Sequence, residues 1–243
     1  MQHMGAKPYQ QVLLFNNLKP LIPERKYMKQ ICRIIIAICL PLLLWGEAHA
    51  QHSGPYVGGF FGGDLLMPAK SSDSTGDFNL KFKPDMLWSA VVGWDLEPGD
   101  PIGEGRIELE YSRRINTLDK VTFAEGSFAG GGTVKAESLL VNFFGVYHDD
   151  TGFSPYVGIG VGAARIEASN LQESGFPLGS GRKDVFAYQG GFGVDCQLTS
   201  YLNLDLGYRY FATLRPTFTE VGGSKMKMDY QSHNVLLGVR LGF

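Results

Sequence analysis

The chain of 243 residues is 44% hydrophobic and 19% charged, which excludes a disordered polymer and leaves room for one large all-β domain or two small ones. No stretch reaches the roughly 20 apolar residues that a membrane helix needs, although averaged hydropathy is blind to a β-barrel, whose lipid-facing residues alternate with polar ones. Taking away the six cations and two anions before position 51, from totals of 22 and 24, leaves a net charge near −6 and no electrostatic footprint for nucleic acid.

Residues 1–27 precede Met28, which stands where a signal peptide would start; they read as an N-terminal extension or a misassigned start. Beyond it, Lys29 and Arg33 lead into an apolar run from Ile34 to Trp45, followed by Ala48-His49-Ala50. A positive region, an apolar core and an Ala-x-Ala site make 28–50 a secretory signal peptide, with Ala48 and Ala50 as its cleavage determinants. The mature domain is then 51–243. Cys39 raises a lipoprotein alternative, against which stands the bulky Ile38 before it. Beyond the signal only Cys196 remains, so no disulfide can form within the mature chain.

Eight strand-like segments follow, near 55–64, 86–97, 105–115, 136–148, 154–166, 185–198, 202–212 and 229–243. Glycine pairs 58–59 and 62–63 blur the first. In the third, Ile107, Leu109 and Tyr111 alternate with Arg106, Glu108 and Glu110. The last is the clearest: Val235, Leu237, Val239, Leu241 and Phe243 alternate with Asn234, Leu236, Gly238, Arg240 and Gly242, a period of two. Several segments run ten or more residues, as a tilted membrane strand of about 9–11 requires. The connections alternate too. Those near 65–85, 116–135, 167–184 and 213–228 are long, and those at 97–104, 149–153 and 199–201 are short. Short inner turns and long outer loops mark an antiparallel transmembrane up-and-down barrel of eight strands.

Alternation does not say which face looks outward. A soluble barrel would turn the apolar face inward, around a ligand. Three features favour the membrane arrangement. The polar face carries both signs, in Arg106, Glu108, Glu110, Arg114, Asp195, Asp205, Arg209 and Arg240, which can pair across a narrow lumen. The apolar face carries Trp88, Trp94, Tyr111, Tyr147, Tyr208, Tyr210 and Phe243 toward strand ends, as interfacial girdles require. The last strand also ends on the last residue.

On these residues a resemblance enters. Gly238-Val239-Arg240-Leu241-Gly242-Phe243 resembles the assembly signal of outer-membrane proteins, carried by Gly238, Leu241 and Phe243; Leu236 departs from it, being apolar where that signal is usually polar. Pro155 to Gly162, Glu108 to Tyr111 and Leu206 to Tyr210 are similar to the opacity-type surface-antigen barrels, close in architecture to the OmpA membrane domain. The resemblance implies a barrel in a Gram-negative outer membrane, inserted by the barrel-assembly machinery, bounded by outer-membrane lipid, and without a periplasmic domain after Phe243.

No catalytic, cofactor or metal site is expected. Gly158-x-Gly160-x-x-Ala163 superficially fits a dinucleotide fingerprint, but that motif needs a strand-to-helix turn, whereas these glycines continue one strand. There they would make room for bulky residues of the opposite wall. His52, His148 and His233 are scattered, unlike metal ligands, and the neighbours Ser232 and His233 point to opposite faces of a strand. The expected function is a non-enzymatic surface protein whose four long loops meet a host or other surface ligand and which contributes to envelope integrity. A small porin is the first alternative, an outer-membrane lipid-modifying enzyme the second.

Overall fold

The computed structural model describes residues 54–72, 76–96, 104–147, 152–220 and 225–243; the segment with Ala48 and Ala50, and also His52 and His148, lie outside them. Twelve strands follow in chain order among the described residues: β1 (Gly54–Leu66), β2 (Ala69–Ser72), β3 (Asp77–Phe82), β4 (Asp85–Leu96), β5 (Gly105–Phe123), β6 (Gly126–Val146), β7 (Phe153–Glu173), β8 (Phe176–Gln197), β9 (Leu202–Thr213), β10 (Thr217–Glu220), β11 (Lys225–Met228) and β12 (Gln231–Gly242). Eight of them form a closed antiparallel ring in the order β1, β4, β5, β6, β7, β8, β9, β12. It closes between β12 and β1, from Tyr56↔Gly242 to Leu66↔Ser232, so no edge is left open in this half.

The expected long loops are not loops. Strands β5 to β8 run 19 to 22 residues and rise well past the ring. Beside them β3 pairs with β5, β2 with β3, β11 with β2, β10 with β11, and β10 with β8, which repeats the ring one storey higher. Two of the connections are two-residue turns: Phe123 pairs with Gly126, and Glu173 with Phe176 across Ser174 and Gly175. Both of those last residues have positive φ, 48° and 90°, which suits a tight hairpin between right-twisted strands. Pro68, Pro84 and Pro216 mark three of the four places where a ring strand gives way to an upper one, because proline donates nothing to a ladder. The ladder resumes around them through Met67 N to Gln231 O (2.8 Å), Lys83 N to Thr117 O (2.9 Å) and Met228 N to Pro216 O (3.2 Å).

Side-chain parity runs unbroken from one storey to the next, but its chemistry inverts. In the lower storey the outward residues are apolar: Val57, Phe61, Trp88, Val92, Leu139, Val141, Phe143, Val157, Ile159, Leu237 and Val239 all stand exposed. Such a continuous apolar surface suits hydrocarbon rather than water. In the upper storey the apolar residues turn inward, and Leu80, Leu118, Val121, Val134, Ile166, Leu171, Phe218, Met226 and Met228 share one buried cluster. Burying side chains of this size contributes about 1.5–3 kcal/mol each, so the extension carries a core of its own.

The interior glycines serve a different purpose from the one expected. Phe144 lies over Gly158, Tyr156 over Gly193, Tyr56 over Gly93 and Phe60 over Gly238, and a Cβ at any of these glycines would meet the ring. Each aromatic is the register partner of its glycine on the neighbouring strand. Room is made for adjacent strands, not for the opposite wall, because a ring reaching inward must first pass its own neighbour.

Candidate functional site

The lower lumen is filled by an ion cluster built from five strands. Arg106 of β5 bonds Asp195 of β8, reaches Asp205 of β9 at 3.1 Å, and lies 3.2 Å from Glu108. Its guanidinium stacks on Tyr156, 4.2 Å from the ring centre. Arg240 of β12 holds Asp195 at 2.8 Å and Asp95 at 3.3 Å. Tyr56 donates to Glu108 at 2.6 Å, and Tyr156 donates to Asp205 at 2.7 Å. Alternation places all these groups inside, and their burial leaves them one another as partners.

The other three expected lumen charges are held without ion pairs among the described residues. Glu110 accepts from Asn142 (2.8 Å) and Gln189 (2.9 Å). Arg209 donates to Tyr156 at 3.2 Å and lies over Phe144. Arg114 donates to Ser112 and Ser138 and packs on Phe211, 4.0 Å from its ring centre. The sequence reading missed Asp95, Asn142, Gln189, Tyr56 and Tyr156. The parity of β4 carried a signal for Asp95, two residues beyond Gly93; the glycine pairs of β1 hid Tyr56.

Leu236, the residue that departs from the assembly signal, lies in the lumen and packs with Tyr56, Phe60, Leu87 and Val91. This wall of the lumen is apolar, so a polar residue there would lack a partner. Gly238 sits beneath Phe60, Leu241 faces outward opposite Val57, and the amide of Phe243 donates to Pro55 O at 3.1 Å.

A second constellation, also missed, lies on the outer wall where the apolar band ends. Tyr111, Leu139, Ala163 and Phe186 are register partners across β5 to β8. Two residues above them runs a row of alternating sign, Arg113, Glu137, Arg165 and Asp184. Above that row come Lys135, Glu167 and Arg182. Arg165 meets Asp184 at 2.7 Å, while Glu167 takes Lys135 at 3.1 Å and Arg182 at 3.0 Å. Hydrogen bonds from Lys135 and Arg182 hold Glu167 below its ordinary pKa, and one from Arg165 does the same for Asp184. Opposite charges placed directly across strands in this way reinforce register.

Among the described residues no group of His, Cys, Asp and Glu is placed to hold a metal. Ser232 is buried in the lumen, while His233 lies on the outer face, where Nδ1 is 2.6 Å from the Tyr208 hydroxyl.

Residues 128–236 match the family described as Surface antigen. A stretch of 84 residues is 31% identical to the outer membrane protein PagN of Salmonella typhimurium, covering 32% of this chain and 34% of that protein. The chain thus spans about a third of the length of that relative. Among solved structures, the outer membrane protein OprG of Pseudomonas aeruginosa superposes with a TM-score of 0.57 over 81% of this chain and 100% of that one, at 13% identity. That likeness concerns the fold. Taken with the closed ring, these matches make the chain an eight-stranded β-barrel similar to Gram-negative outer-membrane barrels, with residues 128–236 resembling the surface-antigen family.

Proposed function

We propose that the protein is a non-enzymatic surface protein that projects a stiff β extension from the outer membrane to contact other surfaces. The observation that carries this reading is the upper storey itself, a hairpin crown with a buried apolar core and a charged outer wall. Loops would present a changing outline, whereas a cored crown presents a fixed one, and fixing a binding surface beforehand lowers the entropy cost of contact. Function of this kind needs the C-terminal assembly signal, Gly238, Leu241 and Phe243, to be read by the insertion machinery.

The porin alternative meets the same core. Its buried side chains fill the upper lumen, and below them the ion cluster binds its own charges together. An apolar constriction stops ions by excluding water, so purified protein is expected to be silent in planar bilayers. The lipid-modifying alternative loses support because Ser232 and His233 face opposite sides of the wall.

The test is adherence. Cells displaying the intact barrel are compared with cells displaying a trimmed barrel, in which 119–130 and 169–180 are replaced by short turns. Intact barrel is expected to promote attachment to cultured epithelial cells, and the trimmed barrel to lose it while still folding, as read by heat-modifiable gel migration. Equal attachment by both would remove this reading.

A further inference from the structure

The wall of the barrel is interrupted at one flank. Strand β8 pairs with β9 from Ala187↔Thr213 onward and with β10 at Ser180↔Thr219 and Gly179↔Glu220. Between these, Gly181 to Phe186 face residues 214–218, and the backbone bond shown there is Leu214 N to Phe186 O (2.9 Å). Pro216 stands in the middle of the interruption and can donate nothing to a ladder. The groove that results measures about 390 Å³ and is lined by Lys183, Asp184, Val185, Arg215, Thr217 and Lys225.

Lys183 shows what the interruption does. By register it is the partner of Ile166, a residue of the buried core, so parity would send it inward. It is nevertheless exposed, because the wall beside it is open. Of the acids nearby, Asp184 is taken by Arg165 and Asp229 by Arg215. Lys183 and Lys225 have no acid partner among the described residues, so the groove keeps an excess of positive charge.

Its height matters as much as its charge. Phe186 belongs to the last apolar row of the outer face and is 49% exposed, and Leu214 beside it is 60% exposed. Lys183 is three residues above Phe186, roughly 10 Å along a strand. An amphiphile in the outer leaflet, with acyl chains in the apolar band and phosphate at its edge, presents those two chemistries at that separation. We infer that this groove binds a phosphorylated glycolipid of the outer leaflet. Lys183 and Lys225, with Arg215 beside them, receive a phosphate group, and an acyl chain lies against Phe186 and Leu214. Charge-assisted bonds from ammonium groups to phosphate oxygens are the strong class of hydrogen bond, and the apolar contact fixes which phosphate compound enters.

The experiment titrates the folded barrel in detergent with diphosphoryl lipid A and counts bound lipid by native mass spectrometry. Wild type is expected to hold one lipid A about tenfold more tightly than the double variant Lys183→Ala/Lys225→Ala. The charge-keeping double variant Lys183→Arg/Lys225→Arg retains binding, and fully dephosphorylated lipid A is held no better by wild type than by the alanine variant. Gel migration confirms folding of each protein. Equal affinity of wild type and the alanine variant for diphosphoryl lipid A overturns the site. Equal affinity of wild type for lipid A and inorganic pyrophosphate, or tighter binding of a soluble sulfated polysaccharide at the same lysines, overturns the assignment to a membrane glycolipid.

Discussion

The membrane storey and the crown share strands and parity and differ in solvent. Along β6 the outward residues read Lys135, Glu137, Leu139, Val141 and Phe143, while the inward residues read Val134, Ala136, Ser138, Leu140 and Asn142. The outward face passes from charged to apolar between Glu137 and Leu139, and over the same stretch the inward face, apolar at Val134 and Ala136, admits polar Ser138 and Asn142 on either side of Leu140. Each storey hides its apolar face from water, one against lipid and the other against itself. The lower lumen is therefore left with charges that must satisfy one another, and the crown with charges that water already satisfies.

That difference sets the order of expected effects. The largest falls on the buried ion cluster. Arg106→Ala leaves Asp195, Asp205 and Glu108 short of their cation, a loss of about 3–5 kcal/mol, measured as urea unfolding from lipid vesicles. A loss under about 1 kcal/mol would mean that water, not Arg106, satisfies those acids.

Next comes the crown. Leu80 is fully buried, and Leu80→Ala is expected to cost about 2–5 kcal/mol, read as faster amide exchange in β2, β3, β10 and β11 with the membrane ring unchanged. Exchange that quickens equally in both storeys would show one cooperative unit rather than two.

Leu206, outward in β9 and 52% exposed, tests the lipid face. Leu206→Arg should cost about 2–4 kcal/mol near the bilayer midplane, whereas Thr133→Arg, outward in the crown, should leave stability unchanged. A neutral Leu206→Arg would contradict the face assignment.

The smallest effect is one of pH. Glu167 and Asp184 have lowered pKa values in the folded chain, so their pairs contribute above the ordinary carboxylate range, about pH 4, and that contribution is lost as pH falls through the lowered values. Amide protection in the upper parts of β6, β7 and β8 is expected to weaken below about pH 4; weakening already near neutrality would assign it to other groups.

The sequence made the ring legible because β12 and β9 keep their outer face apolar along most of their length, although Leu236 and Phe211 turn inward. It hid the crown for a physical reason. Phe78, Leu80 and Phe82 do alternate with Asn79 and Lys81, and Val134 and Ala136 with Lys135 and Glu137. The apolar parity there is opposite to that of the ring, so a reader following one apolar face loses it at the crossover. The flip leaves a mark, since consecutive apolar residues such as Leu139-Leu140-Val141 and Val185-Phe186-Ala187 stand where one apolar face hands over to the other. The ion cluster was readable as a set of inward charges, but its pairing was not, because partners from β4, β5, β8, β9 and β12 meet only when the ring closes.

A nitroxide scan along β6, from Thr133 to Val146, in lipid vesicles tests the inversion most directly. Labels at 133, 135 and 137 should be relaxed by a water-soluble paramagnet and those at 139, 141 and 143 by oxygen dissolved in lipid, with 134 and 136 shielded from both. Water access at 134 and 136 equal to that at 135 would contradict a cored crown and return these residues to loops.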